Sequence, residues 1–531
     1  MTVDYLLTQL RWLDRWRLCL IILAVVYGYL LSIDLASKSM VWDEVTHFTG
    51  GLILSRGQIG TWVTTNSLYP PVYDICTALY YLIAGPSVFA ARLVSVTFSV
   101  LSLFVIYEIA NDLYNKKTAL LSAVLFSTMP GIVWVSRLAM IETMLIFVFC
   151  LSMLFFFRWL RTNKEKDRVF FIAAVAVGVA VKYQTLVIAP IIMLLGMYFW
   201  KRDYLKAELK SCLRLPRVAV VVVAIAAVAV AIYALLESGV LNVLLFAISE
   251  GTAQKAIYSA RYPVPIFYLV DMTWFGNLTH PISLLLYLVG LGGLGLMVYK
   301  RKPEDKFLLL WFLVVYVVFT LIPNRDWRYV TIAFPVLAVA AAGILTAAFD
   351  KLISLGQKAN GFAKKWGTKA AAVLLVAFAL TGVFYSCIDA YTWVSHDRIV
   401  VPIDQATGYS SQTLGNNQSL VVACPLNLFN EYMVRFYLSA KNPDQKYNQT
   451  WQYPAEAVDA YTPDFNTPAF MSLCQQNNVK YVFLYEYGGL KYFNSNLTAQ
   501  TVYNSLDETE RFTLQATFGT QPNRVFVFLF T

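Results

Sequence analysis

The chain has 531 residues, 58% hydrophobic and only 14% charged, with a mean hydropathy of +0.57. This composition excludes an ordinary soluble domain and reads as an integral membrane protein. The net charge of +10 raises nucleic acid as a partner, but the basic residues fall between apolar runs and form no single face for a duplex. No nucleic acid is expected.

Lys and Arg gather in segments 1–17, 108–117, 158–168, 201–217, 300–306 and 349–369, as cytoplasmic loops do, and so orient the chain. The first apolar run, about Leu18 to Ile33, follows Arg11, Arg15 and Arg17 and lacks a small-residue cleavage site, so it reads as a retained anchor. Spans need about 20 apolar residues. With the basic loops, that length predicts about eleven spans in a transmembrane domain 1–388, the N-terminus cytoplasmic. The first span leads to an external loop, about 35–85, and the second, about 86–107, returns to Lys116-Lys117. Segment 118–157 has basic loops at both ends and must cross an even number of times. It is a hairpin turning between Pro130-Gly131 and Glu142, with Arg137 outside. By the same parity 169–200 is a second hairpin with Lys182-Tyr183-Gln184 at its tip, although its short arms also fit a re-entrant pair.

The seventh run, about 218–236, leads to an outer segment holding Arg261, Tyr262 and His280. The eighth, about 282–299, contains Gly290-Leu291-Gly292-Gly293-Leu294-Gly295, which reads as close helix packing rather than a phosphate loop. The ninth ends outside at Pro323–Tyr329, and the last two flank Lys351–Lys369, leaving the C-terminus external. From about 389 to 531 short apolar runs at Leu420–Ala423, Lys480–Tyr485 and Val525–Phe530 predict strands, and Leu428–Leu438 and Ala469–Asn477 predict helices. The fold class is therefore a polytopic α-helical membrane protein with a C-terminal external α/β domain. Glycosylation sequons at Asn277, Asn417, Asn448 and Asn496 all fall on the expected external side, and Cys424 and Cys474 could pair there.

This threading brings most outer-border ionisable residues into a few loops: Asp43, Glu44, His47, Asp74, Arg92, Arg137, Glu142, Lys182, Arg261, Arg325, Asp326 and Arg328. Charge at a membrane border is costly and usually functional. Such a set suits an anionic lipid-borne substrate, with cations for its phosphate and a carboxylate for proton transfer. Each residue also has a plain structural alternative. Asp43 and Glu44 could favour a helix N-terminus, Arg92 and Lys182 could snorkel, Arg137 and Glu142 could pair across a turn, and 325–328 could be a solvated loop. His47 with Asp43 or Glu44 has helical spacing for a divalent metal, but no second histidine accompanies it, so no metal ligand is assigned.

The ordered motifs Trp42-Asp43-Glu44, Tyr69-Pro70-Pro71-Val72-Tyr73, Phe89-Ala90-Ala91-Arg92-Leu93, Ser136–Glu142 and Arg328-Tyr329 followed by Pro335 resemble those of the GT-C class of glycosyltransferases. The resemblance is to the protein O-mannosyltransferase branch, which includes the lipid A aminoarabinose transferases; Glu142 stands where that family usually has Asp. It implies an inverting transfer of a hexose or pentose from polyprenyl or dolichyl phosphate to a lipid, glycan or protein acceptor on the extracytoplasmic face. Asp43 would be the general base, with Glu44 assisting or orienting it. Arg92, Arg137, Lys182, Arg261, Arg325 and Arg328 would hold the donor phosphate. Trp42, His47, Tyr69, Tyr73, Asp74, Glu142, Tyr262 and Tyr329 would contact substrate. The alternative is a transporter or flippase, which predicts mid-span charges and inverted repeats; the sequence shows neither.

Overall fold

The computed structural model describes residues 14–65, 69–199, 261–274, 279–426, 428–441, 450–453, 465–487 and 498–531. The chain forms two compact units. One comprises 1–33, 63–73 and 95–394, the other 34–62, 74–94 and 395–531. The second unit thus combines most of segment 35–85 with 395–531.

The first unit is helical. Asp14 caps α1 (Arg15–Ser32) through the amides of Trp16 and Arg17, as a short acidic side chain does at a helix start. The expected first hairpin is α6 (Lys116–Ser127) and α7 (Pro130–Ser136), bent by 66°, followed by α8 (Glu142–Thr162). The bend falls where Pro130 removes an amide donor. The second hairpin is α9 (Glu165–Val181), a 3₁₀ turn at Tyr183–Val187 and α10 (Ile188–Phe199). After α11 (Phe267–Asp271) come α12 (Leu284–Lys300), α13 (Pro303–Leu321), a 3₁₀ helix at Trp327–Ala333, α14 (Phe334–Lys358) and α15 (Phe362–His396).

Among the described residues five helices are long and apolar enough to cross a membrane, or six with the bent pair, against the eleven spans expected; no span is assigned to α9, α10, α12 or α13. The seventh expected span, 218–236, lies outside the described residues. Leu374, Leu380 and Phe384 on α15 are at least 64% exposed, which in a membrane helix means facing lipid. The glycine stretch packs as expected: a Cβ at Gly293 would stand 2.2 Å from the Ala340 carbonyl oxygen of α14, so only a hydrogen allows this approach. Ion pairs join the loop-side helix ends, Arg158 meeting both Glu108 and Asp112 and Lys117 meeting Asp350.

The second unit holds α2 (Trp42–Ser55) and most of α4 (Val72–Ala84). It also contains a five-stranded sheet of β1 (Ser419–Ala423), β2 (Thr450–Tyr453), β3 (Val479–Tyr485), β4 (Phe512–Phe518) and β5 (Val525–Phe530). Its order is β2-β1-β3-β5-β4, parallel across the first three strands and antiparallel beyond. The three strands expected from apolar runs are present; β2 and β4 were not expected, because their faces alternate between buried and exposed. The loop helices join this domain through apolar contacts: Phe48 and Tyr81 meet Phe436, and Trp42 meets Tyr432, both on the helix Glu431–Lys441. Cys424 and Cys474 are separate buried thiols, so the pairing considered for them does not occur; each packs as a small hydrophobe. Asn417 is exposed, while Asn277, Asn448 and Asn496 lie outside the described residues.

Candidate active site

In the second unit the Trp-Asp-Glu stretch is the first turn of α2, where negative charge is favoured by the unpaired amides. Glu44 turns inward, fully buried, and accepts from the Val41 amide at 3.0 Å. Arg92, also fully buried, grips it with Nε at 2.8 Å and Nη2 at 2.7 Å. Its remaining N–H groups donate to the carbonyls of Leu35, Lys38 and Ser39 at 2.9–3.0 Å. All five guanidinium donors are therefore occupied. Arg92 is thus an internal counter-charge to Glu44 at the start of α2.

One turn on, His47 is buried with Nδ1 2.8 Å from Asp74 Oδ1, and Trp62 Nε1 donates to Asp74 Oδ2 at 2.8 Å. Asp74 thus orients the imidazole, whose Nδ1 carries the proton facing the carboxylate. Both of its oxygens are engaged and it has no exposed surface, so within this unit it positions the imidazole. Asp43 is left on the exposed side of this turn, four residues before His47 and so on the same helix face. Trp42 is half-buried against Tyr432, ring centroids 5.4 Å apart.

In the first unit a second constellation surrounds the 3₁₀ helix Trp327–Ala333. Trp327 packs against Trp134 and Trp393, which fixes the turn that carries Arg328 and Tyr329. Asp326 caps it, accepting from the Arg328 amide at 2.8 Å and Nε at 3.2 Å. Glu142, 5% exposed at the start of α8, pairs with Lys182 Nζ at 3.0 Å, and Lys182 lies 5.9 Å from the Tyr329 ring centroid. The turn that ends α9 places Lys182 here, so Glu142 pairs with Lys182. Arg137 instead donates to the Leu31 carbonyl at 2.7 Å, at the end of α1. Arg325 Nε donates to Thr320 O at 3.2 Å.

Tyr73 is buried and bonds Ser95 at 2.7 Å, at a helix interface. Tyr69 and Tyr262 are half-buried, and Arg261 is exposed. Two groups here were not anticipated, Asp271 and Tyr268. They are 1% and 0% exposed, and Asp271 Oδ2 and Tyr268 Oη have no hydrogen-bond partner among the described residues. Burial and the neighbouring Asp326 carboxylate push the Asp271 carboxyl up to about 8, against the opposing pull of Arg261 and the Trp327 amide. The only sequence signal was one acid inside the aromatic run Phe267–Trp274. Among the described residues no group of three or more His, Cys, Asp or Glu is gathered that could hold a metal ion.

Residues 69–233 match the family model described as dolichyl-phosphate-mannose-protein mannosyltransferase, a stretch that includes Glu142 and Lys182 and begins after Asp43. No curated protein matches the chain. The fold is similar to that of ArnT from Cupriavidus metallidurans in the apo state, with a TM-score of 0.60 and 15% identity over 96% of this chain and 97% of that one. The same protein bound to undecaprenyl phosphate gives 0.54 and 14% over 96% and 97%. The archaeal oligosaccharyltransferase AglB from Archaeoglobus fulgidus, in complex with an inhibitory peptide and a dolichol-phosphate, gives 0.54 and 13% over 87% of this chain and 69% of that one. The chain thus has the fold of the GT-C membrane glycosyltransferases, and over residues 69–233 it resembles the dolichyl-phosphate-mannose-protein mannosyltransferases in sequence.

Proposed function

We propose that the protein is a membrane glycosyltransferase that moves a sugar from a polyprenyl or dolichyl monophosphate to an acceptor hydroxyl at the extracytoplasmic face, with inversion. The observation that carries this reading is the division of labour in the first turn of α2. Glu44 is consumed by Arg92, whereas Asp43 is exposed, four residues before a buried imidazole that Asp74 holds. Asp43 takes the acceptor proton as the acceptor oxygen bonds the anomeric carbon. The bond from that carbon to the donor phosphate breaks, and the lipid phosphate leaves with the electron pair. Glu44 acts as a positioning residue. Lys182, Arg328 and the exposed Arg261 are the cations for the departing phosphate, with Arg137 and Arg325 as further candidates, since a developing anion is best met by fixed positive charge. Tyr69, Tyr262, Tyr329 and Trp42 supply rings for sugar or lipid. The acceptor is a lipid, a glycan or a protein.

The test is to incubate purified protein with a panel of lipid-monophosphate sugars and follow donor loss, wild type against Asp43→Asn. Turnover of one donor by wild type, lost in the variant, supports the proposal. Equal turnover by both removes Asp43 as the base, and no turnover of any donor, with transport of one across a vesicle, favours the transporter.

A further inference from the structure

The basic ends of the helices in the first unit enclose a feature that glycosyl transfer does not use. Between α12, α14 and the residues that follow α5 (Val88–Leu113) lies a cavity of about 200 Å³. One side of its wall is apolar, with Gly293, Met297, Gly343 and Ile344 among its residues, while Tyr114, Asn115 and two threonines line the rest and Lys300 and Lys302 stand there with Asp305 and Asp350. The two acids are already answered. Asp305, 2% exposed, accepts from Tyr114 Oη at 2.7 Å and from the Lys302 amide at 3.3 Å; Asp350 pairs with Lys117 at 3.1 Å. The two lysines are not, because among the described residues neither ammonium has a hydrogen bond or ion pair, and both residues are exposed. Gly343 borders open space, since a Cβ there would meet nothing within 4 Å.

We infer that this cavity binds an anionic phospholipid of the leaflet bordering Lys300–Lys306, its phosphate against Lys300 and Lys302 and the first part of an acyl chain along the Gly343 wall. Charge complementarity selects the head: Asp350 is offset by Lys117, so the two lysines outweigh the single remaining carboxylate, Asp305, whose oxygens are held by Tyr114 and the Lys302 amide. The apolar lining selects a lipid over a free phosphate, which would gain nothing from Met297 or Ile344. Lys300 ends α12 and Lys302 directly precedes α13, a basic turn that the distribution of Lys and Arg places at the cytoplasmic border, where lipid phosphates lie.

The experiment is native mass spectrometry of the full chain released from nanodiscs of phosphatidylcholine containing phosphatidylglycerol. Wild type should retain phosphatidylglycerol preferentially, and Lys300→Gln with Lys302→Gln should weaken retention by roughly fivefold for each lysine removed. Gly343→Leu, which fills the cavity and keeps both charges, should abolish the preference; Gly343→Ala should reduce it, which covers the case in which the larger residue prevents folding. Equal retention by the filling variants would overturn the proposal by showing that the lysines act only as surface charge. Competition by inorganic phosphate at matched concentration would overturn it in favour of a free anion. Donor turnover should persist in the lysine variant, since neither lysine belongs to the proposed catalytic machinery.

Discussion

Removing Arg92 tests whether it is an internal counter-charge or a substrate ligand. Arg92→Met retains an apolar stem but leaves the Glu44 carboxylate and the carbonyls of Leu35, Lys38 and Ser39 without the donors they now have. Both ionic side chains are fully buried, and breaking such a pair from one side costs about 3–5 kcal/mol, because a charge remains without compensation. Each orphaned buried carbonyl adds a further ~1–3 kcal/mol where water cannot reach it. Against a total stability of ~5–15 kcal/mol, Arg92→Met should be severely destabilised. The double variant Glu44→Leu with Arg92→Met removes the orphan charge and should recover part of the loss, leaving the carbonyl cost. The assay is thermal unfolding in detergent, read by tryptophan fluorescence, with donor affinity measured on whatever remains folded. An Arg92→Met protein that melts with wild type and has lost only donor affinity would refute this reasoning and restore Arg92 as a phosphate ligand.

Asp43→Asn should cut turnover by about 10²- to 10⁴-fold, the usual worth of a general base, with melting temperature unchanged; equal turnover would move the base elsewhere. For Asp271 the folded pKa, about 8, lies above its ordinary 3.8, so its stabilising contribution is complete below about pH 4 and lost as pH rises through 8. At ~1.36 kcal/mol per unit the span is on the order of 5 kcal/mol. Asp271→Asn, neutral throughout, should flatten melting temperature against pH between 5 and 9, and an unchanged slope would contradict this. Glu142→Gln releases Lys182 from its buried pair and should tighten binding of a lipid phosphate in a titration. Weaker binding would instead assign Glu142 the direct contact.

Hydropathy and the placement of Lys and Arg were enough to locate most helices, because each apolar run must be buried or face lipid whatever surrounds it. The hairpin turns at Pro130–Glu142 and Lys182–Gln184 followed from the same parity, and the apolar runs of β1, β3 and β5 were legible as strands. The same threading also set Asp43, Glu44 and Arg92 apart as charges expected near a membrane border. What it left open was partnership. Glu44 and Asp43 are adjacent and chemically alike, yet the first turn of α2 aims one inward and leaves the other exposed. Arg92 joins Glu44 across 48 positions, and Lys182 takes Glu142 across 40, so neither pairing has a local signature. For Asp271 the aromatic run around it gave no hint of its partner: its raised pKa comes from burial and from Asp326, far along the chain. A charge in the sequence specifies only that compensation is needed. Which group supplies it, and which carboxylate remains exposed, is decided by the packing that excludes water around each one.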